Sequence, residues 1–180
     1  MRVNNGSGWI LCAIMIFCGA TEAPSSDVPR DGKVTGRLRE LFGGEEGVDV
    51  ARRATEATAF RLVNASYFKP TLKEYKVVGD PITLKRKIFQ PLGVALTSDS
   101  AYSWKVLKPC EPNFGARIQF VKGKDQVDVL FCFGCDILAV YHNGKHVGDE
   151  DFDVSRARYV GIMKKIFPDD PVIQSLKPKE

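Results

Sequence analysis

The chain has 180 residues, 44% of them hydrophobic and 27% charged, with a formal net charge of +4. That length suffices for one ordinary domain with a real core. The charges are interspersed apart from Lys85-Arg86-Lys87, and no basic stripe carries interleaved aromatics, so no nucleic-acid partner is expected.

The N-terminus carries an export pattern. Arg2 precedes an apolar run over residues 9–17, and small residues follow at Gly19 and Ala20. This predicts a signal peptide over residues 1–20, with an apolar core too short to span a bilayer comfortably. Cleavage after Ala20 places Cys18 and Ala20 at the small-residue positions, whereas cleavage after Ala23 would leave Pro24 behind the scissile bond. Lipoprotein processing needs a small residue before the cysteine, and here Phe17 precedes Cys18 and Leu11 precedes Cys12. The expected location is therefore periplasmic or extracellular, with no stable membrane span after cleavage; an uncleaved, membrane-anchoring signal is the alternative. Cleavage leaves 160 residues, a net charge of +3 and three cysteines, Cys110, Cys132 and Cys135. An odd count in an oxidising compartment means one disulfide plus a buried or reactive thiol, or three ligands to a metal.

Residues 21–36, rich in Pro, Ser, Asp and Gly, predict a flexible tether, and the remainder, 37–180, a single domain. A short helix is expected over 37–42, ending at Gly43-Gly44, and a second over 45–56. Residues 58–63 alternate as a strand with Phe60 and Leu62 on one face. Asn64-Ala65-Ser66 is a glycosylation sequon only in a eukaryotic source. Residues 75–84 read as an extended segment broken at Gly79-Asp80-Pro81; because proline lacks an N–H, that strand belongs at a sheet edge. Residues 85–96 predict a helix cut by Pro91-Leu92-Gly93, and residues 101–107 an extended piece. The loop 108–112 then presents Cys110 between two prolines.

From residue 117 the pattern is a meander. Residues 117–121, a polar turn over 122–125 and residues 126–133 form a hairpin, and the chain reverses again near 134–136 into a strand over 137–142. Asn143-Gly144 is a type I′ turn signal, returning a short edge strand over 145–147. Leu130, Phe131, Phe133, Ile137, Leu138 and Val140 load both faces, so the middle hairpin is expected to be covered on both sides. Tyr159, Ile162, Met163, Ile166 and Phe167 form one helical stripe, with Asp153 or Ser155 as cap, Lys164 and Lys165 near its end and Pro168 as stop. Asp170-Pro171 begins a last short helix through 176. The fold class is α+β: an antiparallel sheet of about four to six strands, with N-terminal and C-terminal helices packed on it.

Cys132 and Cys135 stand in C-x-x-C spacing inside the most β-prone stretch. A two-residue loop at Phe133-Gly134 would oppose the cysteines directly, but it demands positive φ at Phe133 or glycine in first place. A three-residue loop, Gly134-Cys135-Asp136, fits better, with Asp136 left-handed, Cys135 at an exposed tip and Cys132 in the sheet. Cys110 could then reach either. A structural role, as a disulfide involving Cys110 or as buried thiols, is favoured. A zinc site of three thiolates plus a fourth ligand, with His142 the weak candidate, comes next. A redox pair comes last, since such pairs usually sit at a helix N-terminus. His142 and His146 flank the Asn143-Gly144 turn on opposite faces and make no joint metal site. Residues 149–153 alternate like a calcium loop, but Val154 and Val160 occupy the positions that require Gly and Glu.

The run Val127-Asp-Val-Leu-Phe-Cys-Phe-x-Cys-Asp136, the following strand ending Val140-Tyr141 and the C-terminal helix resemble a family of small exported bacterial proteins. Residues 58–62 and the Cys110 loop share that likeness, which covers residues 50–175. It implies the fold, the exported location and Cys110 as companion of the C-x-x-C pair, and it brings no reaction. Members can carry a lipoprotein cysteine, a pattern from which Phe17-Cys18 departs. No hydrolase, metalloprotease, phosphate-loop or dinucleotide motif is present, so the enzyme question leans to no. The expected function is an exported, non-enzymatic domain that binds a protein or small ligand of the cell envelope. No cofactor is predicted, zinc being the one that the cysteines admit.

Overall fold

In the computed structural model, the described residues are 1, 34–63, 65–104 and 108–178. The expected signal peptide, the tether as far as residue 33 and the sequon asparagine lie outside them. The architecture is α+β, built on one six-stranded antiparallel sheet.

Two helices open the domain, α1 (Gly36–Phe42) and α2 (Glu45–Arg52), joined at the expected Gly43-Gly44. Thr35 caps α1, its hydroxyl accepting from the Leu38 N–H. The second helix stops four residues short of the expected end. Thr55 is already drawn to the sheet, where its N–H and its hydroxyl both donate to the Val121 carbonyl. Strand β1 (Glu56–Val63) follows, then a long connection and β2 (Lys76–Thr83). The strand order is β2-β1-β3-β4-β5-β6, with β3 (Ala116–Lys122), β4 (Asp125–Cys132), β5 (Ile137–His142) and β6 (Lys145–Asp151) forming the meander. Pro81 thus lies in an edge strand, where its missing N–H breaks no ladder. Asn143 and Gly144 adopt φ of 49° and 80°, the double positive φ of a type I′ turn. The edge strand β6 runs to Asp151 rather than 147, paired to β5 on both sides of a register shift at Val147.

Helix α3 (Arg86–Leu96) corrects the expected break: it continues through Pro91 and Gly93. A mid-helix proline costs about 3 kcal/mol. The exposed ring of Pro91 leaves Phe89, Leu92 and Leu96 buried, and each contributes about 1.5–3 kcal/mol, which outweighs that loss. Gly93 is required for a different reason. A Cβ there would lie 2.0 Å from the Ala51 carbonyl oxygen, so only glycine lets α3 close onto α2. Arg52 then caps α3, donating to the Thr97 hydroxyl at 2.8 Å and to its carbonyl at 2.7 Å. Of the extended piece expected over 101–107, Ala101 instead closes a 3-10 turn (Asp99–Ala101), Tyr102 is extended, and 105–107 lie outside the described residues. Tyr102 is buried with its hydroxyl donated to the Leu96 carbonyl.

The sheet has two differently covered faces. Ala57, Ala59, Ile118, Phe120, Val127, Val129, Phe131, Leu138 and Val140 meet the helices. Helix α4 (Arg156–Ile166) lies there too, with the Tyr159 ring edge-on to Phe131 and Phe152 at 5.6 and 5.5 Å. The other face carries Leu62, Leu130, Cys132, Ala139 and Tyr141 beneath Ala65, Tyr75 and Phe114 of two loops. The middle hairpin is therefore covered on both sides. Helix α5 (Pro171–Ser175) ends the domain, capped by Asp170, whose carboxylate accepts from the Ile173 N–H and from Arg61 Nε at 2.6 Å.

Gly93→Ala is expected to destabilise the domain by about 1–3 kcal/mol, as an overpacked helix contact does. Gly161→Ala, in open space on α4, should stabilise it by about 0.5–1 kcal/mol; urea unfolding of both variants checks the pair. Partial burial works to raise the Asp170 pKa, but the Ile173 N–H and Arg61 more than offset it and hold the carboxyl below its ordinary value. A lowered folded-state pKa adds stability above the unfolded value, and that stability is lost as pH falls through the folded one. Asp170→Asn keeps a capping oxygen but loses the charge, so it should cost about 1.5 kcal/mol at neutral pH. In thermal melts the gap should close below the ordinary carboxylate range; a gap constant down to pH 2 would refute the linkage.

Candidate functional site

Cys110 and Cys135 are joined as a disulfide, with Cα atoms 6.3 Å apart. Cys132, the other half of C-x-x-C, is a free thiol, 1% exposed. Its sulfur accepts the Asn113 N–H at 3.2 Å and packs among Leu62, Phe114, Leu130 and Ala139.

The turn between β4 and β5 differs from expectation in two respects. Cys132 pairs with Ile137, so the loop has four residues, Phe133 to Asp136, rather than three. Asp136 does take the left-handed conformation, at φ 58°. Cys135 is not at an exposed tip; it is buried, and Gly134 alone of the loop is exposed. Polar anchors pull the loop inward. Arg156 donates to the Phe133 carbonyl at 2.7 Å and to the Asp136 carboxylate. The Phe152 N–H donates to the Asp136 carbonyl at 2.8 Å, and Lys108 Nζ donates to the Cys135 carbonyl at 2.7 Å.

Lys108 also pairs with Asp151 at 2.7 Å and Asp153 at 2.9 Å. Desolvation pulls its pKa down, but those two carboxylates win and raise it, so this ammonium stays charged. Asp151 and Asp153, from the segment that alternates like a calcium loop, thus serve to hold the disulfide loop.

The structure does not bring the four groups weighed for zinc together. Two thiols are bonded to each other, and His142 lies on the helix-covered face, its Nδ1 3.3 Å from the Gly43 carbonyl, while Cys132 faces the other way. Among the described residues, no group of three or more His, Cys, Asp or Glu side chains is placed to hold a metal ion. His146 opposes Tyr141 across the turn, as the register predicts, and its ring sits 5.3 Å from Phe68 and 5.2 Å from Tyr141.

A different site emerges on the loop-covered face. The long β1–β2 connection is pinned over one part of that face. The Tyr75 and Tyr141 hydroxyls lie 2.9 Å apart, Tyr141 donates to the Lys69 carbonyl at 2.6 Å, and the Lys69 N–H donates to Tyr75. Burial raises both phenol pKa values, so the network stays protonated at physiological pH. Beside this network the connection leaves an open cleft of about 750 Å³. Leu72, Tyr75 and Val77 form an apolar wall, with Lys73, Arg117 and Gln126 among its polar groups.

A polar cluster lies within and beneath that cleft. Asp128, fully buried, accepts from Gln126 at 2.5 Å and from Gln119 at 3.4 Å. Arg117 reaches it only at 3.5 Å through Nε, and its guanidinium carbon lies over Phe60, 3.8 Å from the ring centroid. The arginine side chain is 11% exposed, and its Nε has no hydrogen-bond acceptor among the described residues. Burial raises the Asp128 pKa despite help from Gln126 and Arg117, and burial likewise lowers that of Arg117. Sequence reasoning missed this cluster. The available signal was Asp128 itself, a carboxylate between Val127 and Val129 in a strand apolar on both faces.

The chain matches no protein-family model, no curated protein and no solved structure.

The disulfide closes a loop with a sequence separation of 25 residues. By the chain-entropy relation, a Cys110→Ser, Cys135→Ser double variant should lose about 3.5 kcal/mol in urea unfolding. Alkylation with mass mapping should label Cys132 only after denaturation and recover a Cys110–Cys135 cross-link; rapid native labelling of Cys132 would overturn its burial.

Proposed function

We propose that this chain is an exported, non-enzymatic binding domain that takes a small ligand in the cleft between the β1–β2 connection and the sheet, with its cysteines serving structure. The observation that carries this reading is the cleft itself: a concavity of about 750 Å³ with an apolar wall and a few convergent polar groups, the usual character of a small-molecule site. The disulfide supports export, because such bonds persist in oxidising compartments. The apolar run over residues 9–17 with Gly19 and Ala20 behind it supports the same location, as does the likeness of residues 127–136 to small exported bacterial proteins. A structural role for sulfur is supported by the pairing of Cys135 with Cys110 instead of Cys132, since a redox C-x-x-C needs its two members to exchange with each other.

The test is native mass spectrometry of the protein isolated from its own compartment. The expected result is an N-terminus at Thr21 and a non-covalent small-molecule adduct that a Val77→Asp variant loses. Retention in the cytoplasm would refute export. An adduct that persists in Val77→Asp would refute the cleft as its seat.

A further inference from the structure

Deepening the binding reading, and resting on it, we infer that the ligand is a small carboxylate with an apolar body, its carboxylate on Arg117 and its body along Leu72, Tyr75 and Val77. Three observations lead there. First, Arg117 lines the cleft with a side chain only 11% exposed, and its Nε has no hydrogen-bond acceptor among the described residues. Its natural partner, Asp128, already accepts from the amides of Gln119 and Gln126, so the nearest approach of the guanidinium is 3.5 Å through one nitrogen. An arginine fork matches a carboxylate in two parallel hydrogen bonds, a geometry that the Asp128 contact does not achieve. Secondly, the guanidinium is oriented before any ligand arrives. Contact of its central carbon with the Phe60 ring, 3.8 Å from the centroid, and burial of the side chain leave little freedom to be lost on binding. Thirdly, the charged side chains that line the cleft, Arg117 and Lys73, are both cations. The apolar side chain of Val77 is 37% exposed, and Leu72, packed on one side against the core of the loop-covered face, lines the same cleft. A free phosphate would satisfy the arginine and leave that wall wet. An uncharged lipid would cover the wall and leave the arginine unfilled.

The experiment titrates the full chain, disulfide intact, with octanoate, 1-octanol and inorganic phosphate by calorimetry. Backbone amide shifts of residues 71–77 and 117–128 locate the site. Octanoate should bind and move those amides, with octanol and phosphate each weaker by about tenfold or more, the scale of a charged hydrogen bond. Arg117→Gln combined with Asp128→Asn removes both charges together and should abolish the preference for octanoate over octanol. Leu72→Asp, on the partly exposed connection, should abolish octanoate binding without disturbing any buried polar group, and so serves if the double variant fails to fold. Octanol binding as tightly as octanoate would overturn the carboxylate assignment while leaving the cleft a binding site. Phosphate as tight as octanoate would overturn the apolar body. Silence of these amides with all three probes would overturn the inference, and the adduct measurement would then decide the broader reading independently.

Discussion

Leu130, Cys132, Ala139 and Tyr141 point away from every helix of the domain, so their burial depends on irregular backbone laid across the second face of the sheet. A loop in that position cannot hydrogen-bond to itself as a helix does, and each buried N–H or C=O needs a partner from elsewhere. The molecule meets this requirement with side chains and with backbone bonds between the two loops. The Asn113 N–H donates to the Cys132 sulfur, the Phe114 N–H to the Ala65 carbonyl and the Tyr67 N–H to the Pro112 carbonyl, so the two covering loops are stitched to the sheet and to each other.

Much of the remaining chemistry follows from that constraint. The Cys110–Cys135 bond ties one covering loop to the β4–β5 turn, and Lys108 and Arg156 supply cations to the buried carbonyls of Cys135 and Phe133 and to the Asp136 carboxylate. Leaving a buried polar group unsatisfied costs about 1–3 kcal/mol, comparable to the stabilisation from a fully buried leucine. Each such anchor therefore weighs about as much as one buried apolar side chain of the core. They also explain why a C-x-x-C pair here is not a pair. Asp136 in the left-handed region and the four-residue loop turn Cys135 toward the Cys110 loop and leave Cys132 in the sheet.

The same constraint accounts for the cleft. The β1–β2 connection is held where tyrosine hydroxyls and backbone meet, around Tyr75, Tyr141 and Lys69, and it stands off the sheet near Arg117 and Gln126. Incomplete cover over a polar part of the face leaves Arg117 inside the protein but short of acceptors. A helix packed there would have demanded apolar residues at positions 117, 119 and 128; the polar ones are compatible with a ligand instead.

Local chemistry alone determined a large part of this protein. The strand–turn–strand pattern from residue 116, the type I′ turn at Asn143-Gly144, the edge position of the Pro81 strand, the stripe of α4 and the opposed faces of His142 and His146 all follow from turn residues and from periods of 2 and 3.6. Those signals act over a few residues, so no knowledge of distant neighbours is needed. The tertiary structure decided what depends on contacts far apart in the chain. Pro91 stays helical because its neighbours bury against the core, and Gly93 is needed because Ala51, 42 positions earlier, comes within contact. Cys135 is buried because Lys108 reaches its carbonyl and Arg156, at the start of α4, holds the flanking Phe133 and Asp136, and Cys110, not Cys132, becomes its partner. Arg117 and Asp128 form a site only because β3 and β4 present them on a face that no helix covers. Spacing within one segment carries no information about which face of a sheet a separate loop will leave open.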